Sequence, residues 1–410
     1  MSANPHPALV LLGVNHNTAP IEVRERLAIP AGRLADATRS LSSVPGIREG
    51  LILSTCNRVE LLTIQDEANP DLVTFLHEYF AVPAATIRPH LYEFREREAV
   101  RHLFRVASSL DSMVVGEPQI LGQVKESYTV ARDVGAASTS LDRLLQSAFS
   151  VAKKVRTETQ IGSNSVSIAS VAVDLARKIF GSLHGKVVLL VGTGKMSELA
   201  VRHLIAHGAS NLILANRTQS RSEAIAANFR SGQVQVEVIP FDALYDQAAR
   251  ADIVITSTGA PQQIFARANG LHFVQKRRGK PMFFIDIAVP RDVDPRMNEV
   301  EGCFVYDIDD LQQVAQSNLA DRTKETAAAE RIVADEVARY QQRVKSLDAV
   351  PAILALQDTA EALRQAELAR TAKVLATLTP EQQAAVEALT RSLTNKLLHP
   401  QIVALRKSSE

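Results

Sequence analysis

Lys186-Val-Val-Leu-Leu-Val191 runs directly into Gly192-Thr-Gly194-Lys-Met-Ser197, and helical periodicity follows over 197–207. A short unbroken apolar run before two closely spaced glycines reads as a buried strand turning into a helix. The first glycine permits the tight turn, and the second lets the backbone approach a pyrophosphate at the helix N-terminus. Ser197 occupies the third fingerprint position, where a small residue still allows close packing. The next strand arrives as Asn211-Leu-Ile-Leu-Ala215, and others recur at 234–239, 252–256 and 281–287, with helical segments between several of them. That alternation argues for a doubly wound parallel sheet. The alternative is a strand–helix turn that binds nothing.

The end of the second strand bears on which dinucleotide is bound. An acidic residue there would suit a ribose 2′-hydroxyl, but the chain reads Asn216-Arg217-Thr218, with Arg221 one turn on. A guanidinium suits a 2′-phosphate, so NADPH is favoured over NADH. The candidate cofactor residues are Gly192, Thr193, Gly194, Lys195, Met196, Ser197, Asn216, Arg217 and Thr218. Arg217 as a solvated loop charge is the plainer reading.

Upstream, residues 1–160 read as one α/β domain, with strands at 8–14, 50–56 and 59–64 and helices at 70–80, 96–107, 117–134 and 140–160. Cys56 lies in Leu53-Ser-Thr-Cys56-Asn-Arg-Val-Glu60, just past an apolar run and among small polar residues. A cysteine after a strand is often a small buried hydrophobe. Here Arg58 offers a charge that lowers a thiol pKa, and Thr55 and Asn57 offer donors for a carbonyl oxygen. Gln119 and Gln123 are four apart, so both amides face one side of a helix. His102, beside Leu103, reads as a helix histidine with no assigned chemistry. Cys303, in Gly302-Cys-Phe-Val-Tyr306, reads as structural.

Downstream of Gly302 there is no glycine, and the stretch is rich in helix formers. A helix from about 308 to 346 and a small helical unit after it are expected, with an apolar stripe at Val386, Leu389, Leu393 and Leu397. Helices this thin cannot bury such stripes alone, which points to a symmetric dimer. The expected domains are therefore 1–160, 161–305 (nucleotide-binding) and 306–410 (helical).

The 410 residues carry a formal net charge of +1, and residues 1–160 hold 17 Lys/Arg against 18 Asp/Glu, so bulk charge announces no nucleic acid. Two cysteines make neither a disulfide framework nor a metal-ligand spacing, which fits a reducing cytoplasm. No apolar run is long enough to span a membrane, and no secretory leader is legible. A thiol and a hydride donor in one chain define a narrow chemistry: the thiol takes an acyl group, and the resulting thioester is reduced to an aldehyde.

Six stretches together resemble the glutamyl-tRNA reductases. They are Gly13-Val-Asn-His-Asn-Thr-Ala-Pro20, Ser54-Thr-Cys-Asn-Arg-Val-Glu60, Leu110-Asp-Ser-Met-Val-Val-Gly-Glu-Pro-Gln-Ile-Leu-Gly-Gln-Val124, Gly192-Thr-Gly-Lys-Met-Ser-Glu-Leu199, Ala215-Asn-Arg-Thr218 and Phe284-Ile-Asp-Ile-Ala-Val-Pro-Arg291. The resemblance implies a homodimer in which an N-terminal α/β catalytic domain, a Rossmann-like NADP-binding domain, a long spinal helix and an all-α dimerisation domain follow in order. It implies Cys56 as nucleophile and His102 as a residue important for activity. It further implies Thr55, Asn57, Arg58, Ser112, Glu117, Pro118, Gln119 and Gln123 as substrate-binding residues. The reaction it implies is NADPH-dependent reduction of glutamyl-tRNA(Glu) to glutamate 1-semialdehyde through a cysteine thioester, at the head of five-carbon tetrapyrrole synthesis. Glutamate-1-semialdehyde aminomutase is then an expected contact. For Arg58, gripping the substrate carboxylate is preferred to serving the sulfur, because a planar fork suits a carboxylate. A shikimate-type dehydrogenase shares the nucleotide-binding half but needs neither Cys56 nor the helical tail. A non-catalytic NADP sensor is the remaining rival.

Overall fold

A computed structural model of the chain describes residues 7–66, 70–113, 116–117, 119–159, 161, 167–230, 234–316 and 323–408. It divides into two compact units, Met1–Val333 and Ala334–Glu410.

The first unit holds two sheets. Strands β1 (Ala8–Asn15), β2 (Ile47–Ser54), β3 (Arg58–Gln65) and β4 (Tyr92–Arg95) form an antiparallel sheet in the order β2-β3-β1-β4. β3 is buried along its whole length, Arg58 and Glu60 included. Side chains alternate across a strand. Val59 and Leu61 therefore join the core with Val10, Leu12, Val14 and Ile52, while Arg58 and Glu60 share the opposite face. On that side Glu60 meets His102 of the helix Glu96–Ala107.

The second sheet is parallel. Its strands β5 (Val187–Val191), β6 (Asn211–Ala215), β7 (Gln235–Ile239), β8 (Ile253–Thr256), β9 (Met282–Asp286) and β10 (Cys303–Tyr306) lie in the order β10-β9-β8-β5-β6-β7. The chain winds from β5 outward to β7, then returns past β5 to β8, β9 and β10. This is the doubly wound order, and its switch point lies between β5 and β8. Both faces of β5 are buried. Val188 and Leu190 pack with the helices Ile168–Phe180 and Lys195–Ala206, whereas Leu189 and Val191 pack with Phe265, Phe273 and Phe284. That is why the strand reads as an unbroken apolar run.

The C-terminal helices differ from expectation. Ile308–Gln316 is one helix, and another runs from Thr323 to Arg370, well past the expected end near 346 and through Pro351. A proline inside a helix costs about 3 kcal/mol. The many Ala, Leu, Gln, Glu and Arg around it offset that cost. In the second unit this helix is followed by Ala372–Leu375 and by Pro380–Ser408, whose Leu389, Leu393 and Leu397 are 67%, 56% and 64% exposed. Among the described residues no helix is long and apolar enough to cross a membrane. None of their His, Cys, Asp and Glu side chains groups in threes around a metal position.

Candidate active site

Thr55, Cys56 and Asn57 form the turn between β2 and β3, closed by Thr55 N–H donating to Arg58 O at 2.9 Å. The Thr55 hydroxyl oxygen accepts from the backbone N–H groups of Asn57 and Arg58, each at 3.2 Å. This is a side-chain-locked turn of the kind Ser and Thr favour. Two further bonds hold it from outside. His16 N–H donates to Asn57 O at 2.9 Å, and Arg24 Nη1 donates to Cys56 O at 3.0 Å. The turn is therefore rigid, and Cys56 stands at its tip, half-buried.

A cleft gathers Thr55, Cys56, Asn57, Arg58, Ser112, Glu117, Gln119, Ile120, Gln123 and Met196. The open space at its centre is small, about 20 Å³. A single water needs ~10–15 Å³ by a comparable measure, so this space holds little more than one. Gln119 and Gln123 come from the first turns of the helix Gln119–Asp133 and present both amides to the cleft. Asn57 Oδ1 and Ser112 Oγ are buried there without a hydrogen-bond partner among the described residues. Buried polar atoms normally find partners, so an unmet amide oxygen and an unmet hydroxyl lining one cleft mark where a polar ligand belongs. Pro118 lies outside the described residues.

Arg58 does not behave as its place beside Cys56 suggests. Its side chain is 1% exposed, and Nη1 donates to Glu60 Oε1 at 2.6 Å and to Asp111 Oδ2 at 3.0 Å. Nη2 donates to Asp111 O. Burial opposes its charge, but Glu60 beside it more than compensates and holds it firmly protonated. Burial also opposes the Glu60 carboxylate, yet Arg58 and His102 keep it well below the usual carboxylate range. With both terminal nitrogens engaged, the fork expected to grip a substrate carboxylate is largely committed to Glu60 and Asp111.

The thiol, too, departs from expectation. Burial pushes Cys56 up to about 12, and Glu117 adds to the rise; Arg24 and then Arg58 oppose it without prevailing. The expected lowering by Arg58 is present but is overridden by burial. Glu117 is itself buried, and burial pushes its carboxyl up to about 7, opposed by one long bond from Ile168 N–H at 3.4 Å.

His102 is buried but does not line the cleft. Its Nε2 meets Glu60 Oε1 at 2.8 Å, and the Tyr92 hydroxyl donates to the same oxygen. The network Arg58–Glu60–Asp111–Tyr92 carried no local sequence signal except one. Glu60 lies two residues along a strand from Arg58, hence on its face.

In the nucleotide-binding half, Gly192 has φ of +105°, and a Cβ there would stand 2.7 Å from Ser257 O. Only glycine fits that turn. At Gly194 nothing lies within 4 Å of a would-be Cβ, which leaves open space beside the N-terminus of the helix Lys195–Ala206. Ser197 is buried and its hydroxyl pairs with Ser257 Oγ at 2.5 Å, so the departure from glycine is used to tie the helix start to the residue that follows β8. Met196 extends from this helix into the Cys56 cleft. At the end of β6, Asn216 Nδ2 donates to Thr218 O at 3.1 Å, and Arg217 and Arg221 are exposed without ion-pair partners among the described residues. The open glycine turn, the helix N-terminus and two free guanidiniums fit a phosphorylated dinucleotide. Cys303, the first residue of β10, is buried, its Sγ 3.8 Å from Gly270 O.

Comparison with known proteins agrees with this layout. A family model described as glutamyl-tRNAGlu reductase, N-terminal domain, matches residues 12–159, and one described as the dimerisation domain of the same enzyme matches 328–410. Between them, a shikimate/quinate 5-dehydrogenase model matches 174–314, the nucleotide-binding half alone. The chain is 55% identical to glutamyl-tRNA reductase 2 of Koribacter versatilis (strain Ellin345) over 98% of its length and 91% of that protein. It is 45% identical to glutamyl-tRNA reductase of Pelobacter propionicus over 98% of its length and 92% of that protein. Among solved structures, glutamyl-tRNA reductase from Methanopyrus kandleri aligns over 98% of both chains at 32% identity and a TM-score of 0.50.

Proposed function

The chain belongs to the glutamyl-tRNA reductase family, and from that premise we propose that it reduces glutamyl-tRNA(Glu) to glutamate 1-semialdehyde with Cys56 as the covalent acyl carrier and NADPH as reductant. It is an oxidoreductase, and its nucleotide-binding half is of the pyridine-nucleotide type. The observation that carries the covalent reading is the shared cleft. Met196, two residues past Gly194, lines the same space as Cys56.

In this mechanism the Cys56 sulfur attacks the ester carbonyl that joins glutamate to its tRNA. The thiol is protonated at rest, so its proton must leave as the C–S bond forms. Glu117 lines the cleft and sits near 7, where a carboxylate accepts a proton most usefully at neutral pH. The Thr55 hydroxyl and the Asn57 side chain face the developing oxyanion, each donor worth on the order of 3 kcal/mol. The tRNA leaves as an alcohol, taking the proton that Glu117 received. Gln119, Gln123 and Ser112 hold the glutamyl group. NADPH, when bound, would supply the hydride that converts the thioester to an aldehyde; the Cys56 sulfur would leave as thiolate and take back a proton from solvent. Gly192 to Ser197 would hold its pyrophosphate and Arg217 its 2′-phosphate. His102 acts at one remove, by fixing the Glu60 carboxylate that holds Arg58 in the wall of the cleft.

The helical region is assigned to homodimer contact, and the aldehyde, being reactive, to hand-over to glutamate-1-semialdehyde aminomutase. A cytoplasmic location accords with two free cysteines. Replacement of Cys56 by Ser tests the covalent step. The variant should lose reductase turnover while keeping NADPH affinity; near-normal turnover rules out the thioester.

A further inference from the structure

We propose that Arg24 is a positioning residue for Cys56, a single guanidinium that ties the nucleophile's turn to Asp309 just beyond the last strand of the nucleotide-binding sheet. The inference rests on the reading of Cys56 as the attacking group. Arg24 belongs to the helix Ile21–Leu27, and its side chain is 1% exposed. Its three nitrogens reach three separate parts of the chain. Nε donates to Ala19 O at 3.1 Å, Nη1 to Cys56 O at 3.0 Å, and Nη2 to the Asp309 carboxylate. Asp309 stands in the first turn of Ile308–Gln316, directly after β10.

Arginine suits this place because its planar fork fixes several acceptors at once and its charge is permanent. A buried cation is costly unless fully bonded, and here every nitrogen has an acceptor. The role that its sequence position suggests for Arg58 therefore falls to Arg24. Arg58 is balanced by Glu60 and Asp111, whereas the one carboxylate on Arg24 is a third exposed. Asp309, being partly exposed, is thus screened by water. Three charged groups act on the thiol: Glu117 from across the cleft, Arg24 from the first helix and Arg58 from β3. Of the two cations, Arg24 acts the more strongly. The same guanidinium therefore orients the turn and favours the thiolate.

The test is the rate of Cys56 alkylation by iodoacetamide in the full-length protein, read by peptide mass mapping between pH 7 and pH 10. Arg24→Gln should slow alkylation about tenfold in this range, as the loss of a neighbouring cation requires. Arg24→Lys should restore part of the rate. Asp309→Asn, which leaves the guanidinium without its counter-charge, should accelerate alkylation about threefold. A merely structural role loosens the turn in both variants and moves both rates upward. Faster alkylation in Arg24→Gln, or unchanged or slower alkylation in Asp309→Asn, overturns the proposal. Should Arg24→Gln fail to fold, as judged by its melting curve, Arg24→Lys decides: it keeps the charge and loses the fork, so a rate at or below that of the unaltered protein supports the proposal, and a faster one, as a loosened turn requires, overturns it. Alkylation needs no reductase chemistry. A Cys56→Ser enzyme that still turned over would refute the thioester reading and leave this measurement standing.

Discussion

Cys56 keeps its proton at neutral pH, because burial outweighs the two guanidiniums near it. Whatever activates it must act during the attack, and Glu117 is the group in the cleft with a suitable pKa. Its folded pKa is raised to about 7, so it is a neutral acid below that pH and a carboxylate above it. Thioester formation should therefore fall as pH drops through about 7. Glu117→Gln should remove that inflection and slow the step by about 10²–10³, read as single-turnover acylation against pH; an inflection that survives the substitution assigns it to another group. Thr55, Cys56, Asn57, Arg58, Gln119 and Gln123 were legible because they fall in two short runs of small polar and amide residues set against apolar elements; Ser112 and Glu117 came only from the family resemblance, and Met196 was expected at the nucleotide. Their partners were not legible. Arg24 meets Asp309 and Arg58 meets Asp111 through strand pairing and helix packing, and no local pattern encodes such pairs.

At the level of elements, the end of β6 is the place that selects the cofactor. Arg217 is exposed and free among the described residues, as a guanidinium awaiting a phosphate would be. Arg217→Ala should weaken NADPH binding about 10–100-fold, the worth of one charge-assisted bond, and leave NADH nearly unchanged in a fluorescence titration. Equal losses for both nucleotides contradict the assignment. β5, β6, β8 and β9 were readable from sequence because burial on both faces makes each an apolar run bounded by turns, whereas β7 at the sheet edge exposes Gln235 and Glu237. β4 was not read, since four residues of alternating exposure, Tyr92-Glu-Phe-Arg95, carry too little pattern and exist by pairing with β1. The long C-terminal helix was expected to end near 346, yet it runs on through Pro351 to Arg370. Helix propensity summed along the proline's flanks carries the helix through it.

On the scale of the molecule, the second unit exposes Leu389, Leu393 and Leu397 along one helix, within the stretch matched by the dimerisation model. Burying one leucine is worth ~1.5–3 kcal/mol, and a two-fold interface counts it twice. Leu393→Asp should raise the dimer dissociation constant by at least about 10²-fold in sedimentation equilibrium; an unaltered dimer places the interface elsewhere. The covalent step joins all these levels, and it is tested most directly by intact and peptide mass analysis of the protein mixed with glutamyl-tRNA in the absence of NADPH. The expected result is a glutamyl adduct on the Cys56 peptide that disappears as aldehyde forms when NADPH is added. Aldehyde formed in a single turnover with Cys56 never acylated would contradict it.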